Sequence, residues 1–528
     1  MKRPVVLLLS LFMGILCLAG CGTGAYQEEM DFTYALPTSI TSLDPQTCKL
    51  NAEKTVISFI FEGLCRLDST GAAIPGVAAG WQANTEYTRF TFHLREGACW
   101  STGEPVVAED FVFGVRRSLK PDSKALGIES MFIIKNAREV NAGEAEVETL
   151  GVYAPDSHTV VFDLNVSYED FPKLTAGARF MPCQQKFFED TVGHYGMDCV
   201  YTLTNGPFTF ATNYAWDPDI SLQLARTNLH VAEEPVLPGT ITLLLTDESV
   251  NLSDPVKALV EEEVDLLGLG EAQIEEAKEN NCEIITLHDT VYGLLINTKD
   301  ELLQHLSVRE IYIDAIDRKE VISRMGEQYE EALGIMPRCV MWAGKPYQQS
   351  DQIMYAKQDK GVLNNIGPII SSLDLEELPS IKIICLDDEY SKHLANGIIV
   401  SWNQNLPNMF NLEPLDRESY FERLAAGDYQ AALYSFSANG TTPLSVFSQF
   451  ASTASPRLLE DEEYDSMLKS FSFTRDACQQ LEQALLDAYI YYPIHYTRSY
   501  YGVNPKVKGI IVTADLGPDF TGAVKRDS

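Results

Sequence analysis

The sequence is short of positive charge and of histidine, and beyond its first twenty residues it has no long apolar run. Forty Lys and Arg stand against 75 Asp and Glu, a formal net charge of −35. Nucleic-acid phosphates demand Lys and Arg, so a chain this acidic is not expected to bind nucleic acid. The excess acid keeps a protein soluble and off anionic lipid, and it can steer cationic ligands. The eight histidines are dispersed with no i, i+4 pair. No His-Glu-x-x-His, Gly-x-Ser-x-Gly, Walker loop or Gly-x-Gly-x-x-Gly stands in a supporting context. No catalytic residue, metal site or cofactor is therefore expected, and the run Glu261-Glu262-Glu263 reads as a solvated helix face. Eleven cysteines occur without any Cys-x-x-Cys spacing, which leaves a zinc ribbon or a thioredoxin-like motif unsupported. Setting aside Cys17 and Cys21, nine remain, and an odd number cannot all pair within one chain. Their pairing is left open. No fixed-period repeat is visible.

What is present begins at the N-terminus. Lys2 and Arg3 precede an apolar stretch from Val5 to Leu18, shorter than the roughly 20 residues a membrane span needs. Small residues follow, as an export signal requires. Leu18-Ala19-Gly20-Cys21 resembles the lipobox of bacterial lipoproteins, which implies that residues 1–20 are a signal peptide and that Cys21 is the lipid attachment site. The resemblance implies a protein on the extracytoplasmic face of the cell membrane, held there by the lipid. Residues 21–30 are polar and small and read as a tether.

The rest of the chain exceeds the roughly 250–300 residues at which single cores give way to several domains. Hydrophobic periodicity predicts helices over 51–64, 108–119, 308–324 and 477–491. Alternation or short apolar runs predict strands at 32–36, 89–94, 241–245, 284–287, 293–296, 381–386 and 430–437, with helical stretches between several of them. Residues 152–153 and 159–164 read as a hairpin-like pair around Asp156-Ser157. Gln348 to Leu378 is polar and irregular. Strands interleaved with helices indicate α/β lobes with mixed sheets.

A set of motifs runs through this pattern. Ser42-Leu43-Asp44-Pro45 is followed by Phe61-Glu62-Gly63-Leu64 and by Trp81 after Pro75-Gly76-Val77-Ala78. Phe90-Thr91-Phe92-His93-Leu94-Arg95-Glu96-Gly97 leads into Trp100-Ser101 and Gly103-Glu104-Pro105-Val106. Later come Asn205-Gly206-Pro207-Phe208, Glu263-Val264-Asp265, Asn297-Thr298, Ala315-Ile316-Asp317-Arg318 and Asn504-Pro505-Lys506-Val507. In order and spacing they resemble the family 5 extracellular solute-binding proteins, the oligopeptide- and dipeptide-binding components of ABC importers. Their residue chemistry is mostly structural, with turn formers and large apolar groups; Arg95 is expected to pair with Glu109 or Asp110.

The resemblance implies a two-lobed periplasmic-binding-protein-like α/β fold with a hinge and a cleft, plus an extra domain on lobe one. Mapped onto this chain, lobe one takes 31–60, 200–290 and 491–528, the extra domain 61–199, and lobe two 291–490. It also implies a monomer that captures a peptide or similar small solute and passes it to separate permease and ATPase subunits. The alternatives are a non-peptide solute, or a surface receptor that presents ligand for signalling without transport.

In peptide-binding members an aspartate just after a lobe-two strand holds the ligand's ammonium group. The corresponding strand here is Ala431 to Ser437, and Asn439 stands at the aspartate position, an amide without a full charge. Ser435, Phe436, Ser437, Asn439 and Gly440 are thus the expected ligand-binding residues of lobe two, with Ser435, Ser437 and Asn439 on one strand face. Asn51 is the expected contact from lobe one. Arg226-Thr227-Asn228-Leu229-His230 lacks the aromatic pair that members carry there. His93 is expected to pack within its strand, and His495 to lie in the core near Tyr491, Tyr492 and Tyr496.

Overall fold

The computed structural model describes residues 30–526 except 37, 39, 124, 126–127, 219, 246–253, 327–328, 343–344, 348–362, 365, 439–441, 455–456 and 515. Residues 1–20, expected to be a signal peptide, and Cys21, Asn439 and Gly440 lie outside the described residues. Among the described residues no helix is long and apolar enough to cross a membrane.

A twelve-stranded mixed sheet runs through the molecule. Its main strands in chain order are β1 (Met30–Ala35), β2 (Phe208–Phe210), β3 (Ser221–Arg226), β4 (Pro238–Leu244), β5 (Leu266–Leu269), β6 (Glu283–Ile296), β7 (Lys382–Leu386), β8 (Asn411–Leu415), β9 (Ala431–Ser437) and β10 (Tyr491–Val503). They lie side by side in the order β8-β7-β9-β6-β10-β5-β1-β4-β3-β2. Helices flank both halves of this sheet, which gives two α/β lobes. The halves are joined through β6 and β10, which pair antiparallel from Glu283 opposite Val503 to Leu295 opposite Tyr491. At one end β10 also pairs with β5, and at the other β6 pairs with β9.

The sequence pattern predicts two short strands, 284–287 and 293–296, but the structure has one strand of fourteen residues. The polar His288-Asp289 that interrupts the apolar pattern sits at a register shift between Leu287 and Thr290. A bulge absorbs the extra residue and bends the strand without ending it. The helix expected over 308–324 is two helices, Leu306–Asp314 and Arg318–Met325. Asp317 caps the second by accepting from the Glu320 amide, while its own amide donates to Ser401 Oγ at 2.6 Å. The helix expected to run to Tyr491 ends at Asp487, because Tyr491 already belongs to β10. Of the polar segment 348–378, the described part holds a helix at Ile366–Ser372.

A second sheet, antiparallel, takes its strands in the order Ala78–Ala83, Arg89–Leu94, Thr159–Asp163, Val152–Asp156. Phe90, Phe92 and Phe162 point to one side of it and pack on Phe171, with ring centroids 5.0–6.4 Å apart. His93 falls on the opposite, exposed face, so it does not pack as expected. Trp100 is fully buried beneath this region, and its indole N–H donates to Asp110 at 2.9 Å. Arg95 pairs with neither Glu109 nor Asp110. It donates to the Gly76 carbonyl at 2.8 Å and reaches Glu233 at 3.2 Å, while Asp110 accepts from Trp100 and the Val107 amide.

The recurrent motifs hold one another. Asn205 exchanges hydrogen bonds with the backbone of Glu62, and the amides of Asn205 and Gly206 both donate to the Ile60 carbonyl. A side chain at Gly206 would put its Cβ 2.6 Å from Ile60 C and 2.7 Å from Phe61 N, so only glycine fits that approach. Asp265 accepts from the Thr33 amide and from Asn504, and pairs with Lys525 at 2.9 Å. Asn297 donates to the carbonyls of Gly427 and Tyr429, anchoring the turn that leads into β9.

Candidate ligand-binding cleft

β9 has one side covered and one side partly open. Along its whole length it pairs antiparallel with β6, from Thr290 opposite Ser437 to Ile296 opposite Ala431. On its other edge β7 reaches only Ala431 and Ala432. Backbone groups alternate between the two edges of an antiparallel strand. The Ala438 amide donates to the Asp289 carbonyl across β6, which turns the groups of residues 433, 435 and 437 outward. The Leu433 carbonyl accepts from Tyr420 Oη at 2.6 Å, and the Ser437 carbonyl from Gln449 Nε2 at 2.8 Å. Between these occupied positions lies Ser435. An extended chain laid along this edge can add main-chain hydrogen bonds whatever its side chains.

Ser435 and Ser437 share a face of β9, both half-buried. Ser437 Oγ lies 2.7 Å from Thr290 Oγ1. Phe436 is turned the other way, packed on Phe450 and Tyr491 with centroids 5.6 and 5.1 Å away, so its side chain is part of the core. Asn51 is the exposed first residue of helix Asn51–Ile60, where it accepts from Lys54 Nζ; it belongs to the half of the molecule remote from β9 in the sheet order.

The strand crossing also carries groups that the sequence patterns did not single out. Asp289, 7% exposed, accepts from the Ser499 amide at 3.2 Å, from Ser499 Oγ at 2.9 Å and from Thr290 Oγ1 at 3.0 Å. Tyr292 stacks on His495 with 5.7 Å between rings, and Tyr390 and Tyr329 close edge-on around the same imidazole. Tyr329 Oη donates to Glu271 at 3.0 Å, a bond from the β9 half of the molecule to the β5 half. On another side Tyr168 packs against Trp342 and Phe473, and the Arg138 guanidinium donates to the Phe471 carbonyl. These contacts join the segment containing the second sheet to the segment between β6 and β10. Only the side-chain chemistry of an acid inside an apolar strand could have flagged Asp289 in the sequence.

His495 is fully buried, as a core residue. Its Nδ1 lies 3.1 Å from the Tyr496 carbonyl and its Nε2 2.5 Å from Tyr390 Oη, so the neutral ring donates at Nδ1 and accepts at Nε2. Burial lowers its pKa to about 4. The unfolded chain therefore binds a proton that the folded one refuses, and stability falls as pH drops from about 6.5 to 4. The loss amounts to about 3 kcal/mol at the acid end. Asp110, pushed up to about 6 by burial, has the opposite sign over much of that window. The difference in unfolding free energy between wild type and His495→Gln, measured by urea titration at pH 7 and pH 4, isolates the histidine: the gap is expected to shift by that amount in favour of the variant at pH 4.

A pocket between helix Asn51–Ile60 and residues 511–521 is built entirely from residues outside β6, β9 and β10, and its Arg66 is paired with Asp519 at 2.8 Å. The nine described cysteines form no disulfide, and seven of them are buried. Among the described residues no group of His, Cys, Asp and Glu could hold a metal ion.

Comparison with known proteins agrees with this architecture. Residues 72–456 match the profile of the bacterial extracellular solute-binding proteins, family 5 (middle region). The oligopeptide-binding protein OppA of Bacillus subtilis is 24% identical over 472 residues, covering 85% of this chain and 84% of its own. The probable deoxycholate-binding periplasmic protein YgiS of Escherichia coli is 23% identical, covering 85% and 83%. The substrate-binding domain of an oligopeptide ABC transporter from Bacillus anthracis superposes with a TM-score of 0.74 at 22% identity, over 95% of this chain and 99% of that one. The chain belongs to the family 5 bacterial extracellular solute-binding proteins.

Proposed function

We propose that this protein captures oligopeptides, or a solute of similar shape, between two closing lobes and delivers them to an ABC permease driven by separate ATPases. It is a binding protein and not an enzyme. The observation that carries the reading is the outer edge of β9, which β7 leaves after Ala432, beside β6 and β10, the strands that join the two halves of the sheet among the described residues. A ligand there touches the crossing itself, so its binding can favour one relative position of the lobes. In this reading lobe one comprises 31–60, 200–290 and 491–528, the extra domain 61–199 and lobe two 291–490. Asn51, Ser435, Ser437, Asn439 and Gly440 are the residues proposed to face the ligand.

Native mass spectrometry of the freshly purified mature protein tests this. Co-purified peptides, seen as a ladder of adducts that sequence by fragmentation, are the expected result; a single non-peptide adduct contradicts it. The second reading, a non-peptide solute, is favoured by the sequence Ala438-Asn439-Gly440-Thr441, which supplies no acid where peptide-binding relatives place one, and by the likeness to a protein named for deoxycholate.

The lipobox resemblance supports a lipid-anchored protein, held through Cys21. Cys21→Ala is expected to release it into the soluble fraction with ligand affinity unchanged, as read by fractionation and calorimetry. Loss of binding in the released form contradicts the separation of tether from trap.

A further inference from the structure

Asp289 is a buried acid with only neutral partners. Its carboxylate accepts one backbone N–H and the hydroxyls of Ser499 and Thr290. Among the described residues no Lys, Arg or His lies within ion-pair distance of it. The nearby cations are otherwise placed: Arg338 pairs with Glu330 and lies over the Tyr496 ring, and Arg498 is exposed. Partial desolvation and those two arginines lower the pKa of the adjoining His288. A buried carboxylate is expensive unless a positive charge or a full set of donors compensates it.

The hydrogen-bond chain has a direction. A hydroxyl carries one proton. Thr290 Oγ1 spends its proton on Asp289, so in its 2.7 Å contact with Ser437 the Thr290 oxygen accepts and Ser437 donates. Ser437 Oγ is then left with lone pairs alone, on the half-buried face of β9. The end of the ligand strand thus presents an acceptor oxygen backed, through one hydroxyl, by a buried negative charge. That arrangement selects a donor that is also a cation. The bulge between Leu287 and Thr290 is the local irregularity that turns an acid into this position.

We propose that Asp289, acting with Ser437 and Thr290, is the counter-charge for a primary ammonium group of the ligand at the Ser437 end of β9. The inference rests on the proposed reading of β9 as the ligand strand. Burial raises the Asp289 pKa while the hydroxyl donors lower it, a balance to which a bound ammonium adds the missing positive charge. The ammonium comes from a peptide N-terminus or from a side-chain or polyamine nitrogen, and the experiment separates these.

The test is calorimetry of wild type, Asp289→Asn and Ser499→Ala, each stripped of ligand and checked for an unchanged fold by circular dichroism. The probes are a lysine-free pool of tri- to pentapeptides, the same pool N-acetylated, and spermidine. Wild type is expected to prefer the free-amine pool at least tenfold. Asp289→Asn is expected to bind both pools at the acetylated level, whereas Ser499→Ala, which keeps the charge, retains the preference. Spermidine bound by wild type but not by Asp289→Asn, with no peptide bound, supports the ammonium site and overturns the peptide reading. Preference undiminished in Asp289→Asn, equal loss for both pools, or no binding of any probe by wild type overturns the assignment. In the first two of those cases the peptide reading survives it.

Discussion

Arg117→Met is expected to cost about 3–5 kcal/mol of unfolding free energy, the penalty for leaving a buried charge without its partner. Arg117 and Asp44 form an ion pair with side chains only 9% and 7% exposed. Asp44 comes from the Ser-Leu-Asp-Pro motif and Arg117 from helix Ala108–Leu119. The carboxylate also accepts from the Gln46 amide at 3.1 Å and from Thr47 Oγ1 at 2.8 Å, which folds the Asp-Pro turn on itself. The guanidinium donates to Gln46 Oε1 at 2.6 Å and lies 4.1 Å from the Phe188 ring centroid. One side chain therefore ties the turn to the helix and to the aromatic group behind it. Removing Arg117 leaves the Asp44 carboxyl enclosed without its partner; the double variant Arg117→Met/Asp44→Asn is expected to recover most of the loss. Equilibrium urea unfolding measures both. A single variant within 1 kcal/mol of wild type contradicts this account of the motif.

Gly293→Val is expected to destabilise the protein by on the order of 3 kcal/mol or more and to abolish high-affinity binding with it. Gly293 lies in β6 where it crosses β10. A Cβ built there would stand 2.3 Å from the Tyr492 carbonyl oxygen and 2.7 Å from the Tyr491 ring. Tyr491 cannot retreat, because its hydroxyl is held within hydrogen-bond distance of two carbonyls, Val291 at 3.1 Å on β6 and Tyr434 at 3.0 Å on β9. The register between β6 and β10 already shifts beside it, between Tyr292 and Gly293. A side chain would pry apart the two strands that connect the lobes. Urea unfolding and calorimetry with the peptide pool read the two effects. Normal stability together with normal affinity contradicts the close approach.

How much of this was legible in the sequence depends on how local the determinant is. Arg89–Leu94 and Ala108–Leu119 were predicted to the residue, since alternation and helical periodicity are properties of neighbouring side chains. The pattern of β6 reads as two strands because His288-Asp289 breaks the apolar run, and only a partner strand can reveal that a bulge absorbs the break. The pairing of Arg95 is not legible locally, because its partner, Glu233, is distant in the chain. The motif residues identified the family while concealing their own roles, for Asn205 and Gly206 act on the backbone of Ile60 and Glu62. In the candidate site the sequence led to β9 and to Ser435 and Ser437. It did not lead to Asp289, whose meaning comes from lying against Ser499 on β10, and it did not show that Phe436 is turned into the core.

The central claim is that ligand bound at β9 closes two lobes about the β6–β10 crossing. Small-angle X-ray scattering of the ligand-stripped protein, with and without a saturating peptide pool, measures this directly. The account predicts a smaller radius of gyration and a shorter maximum dimension in the presence of peptide. Saturable peptide binding with both quantities unchanged would contradict it.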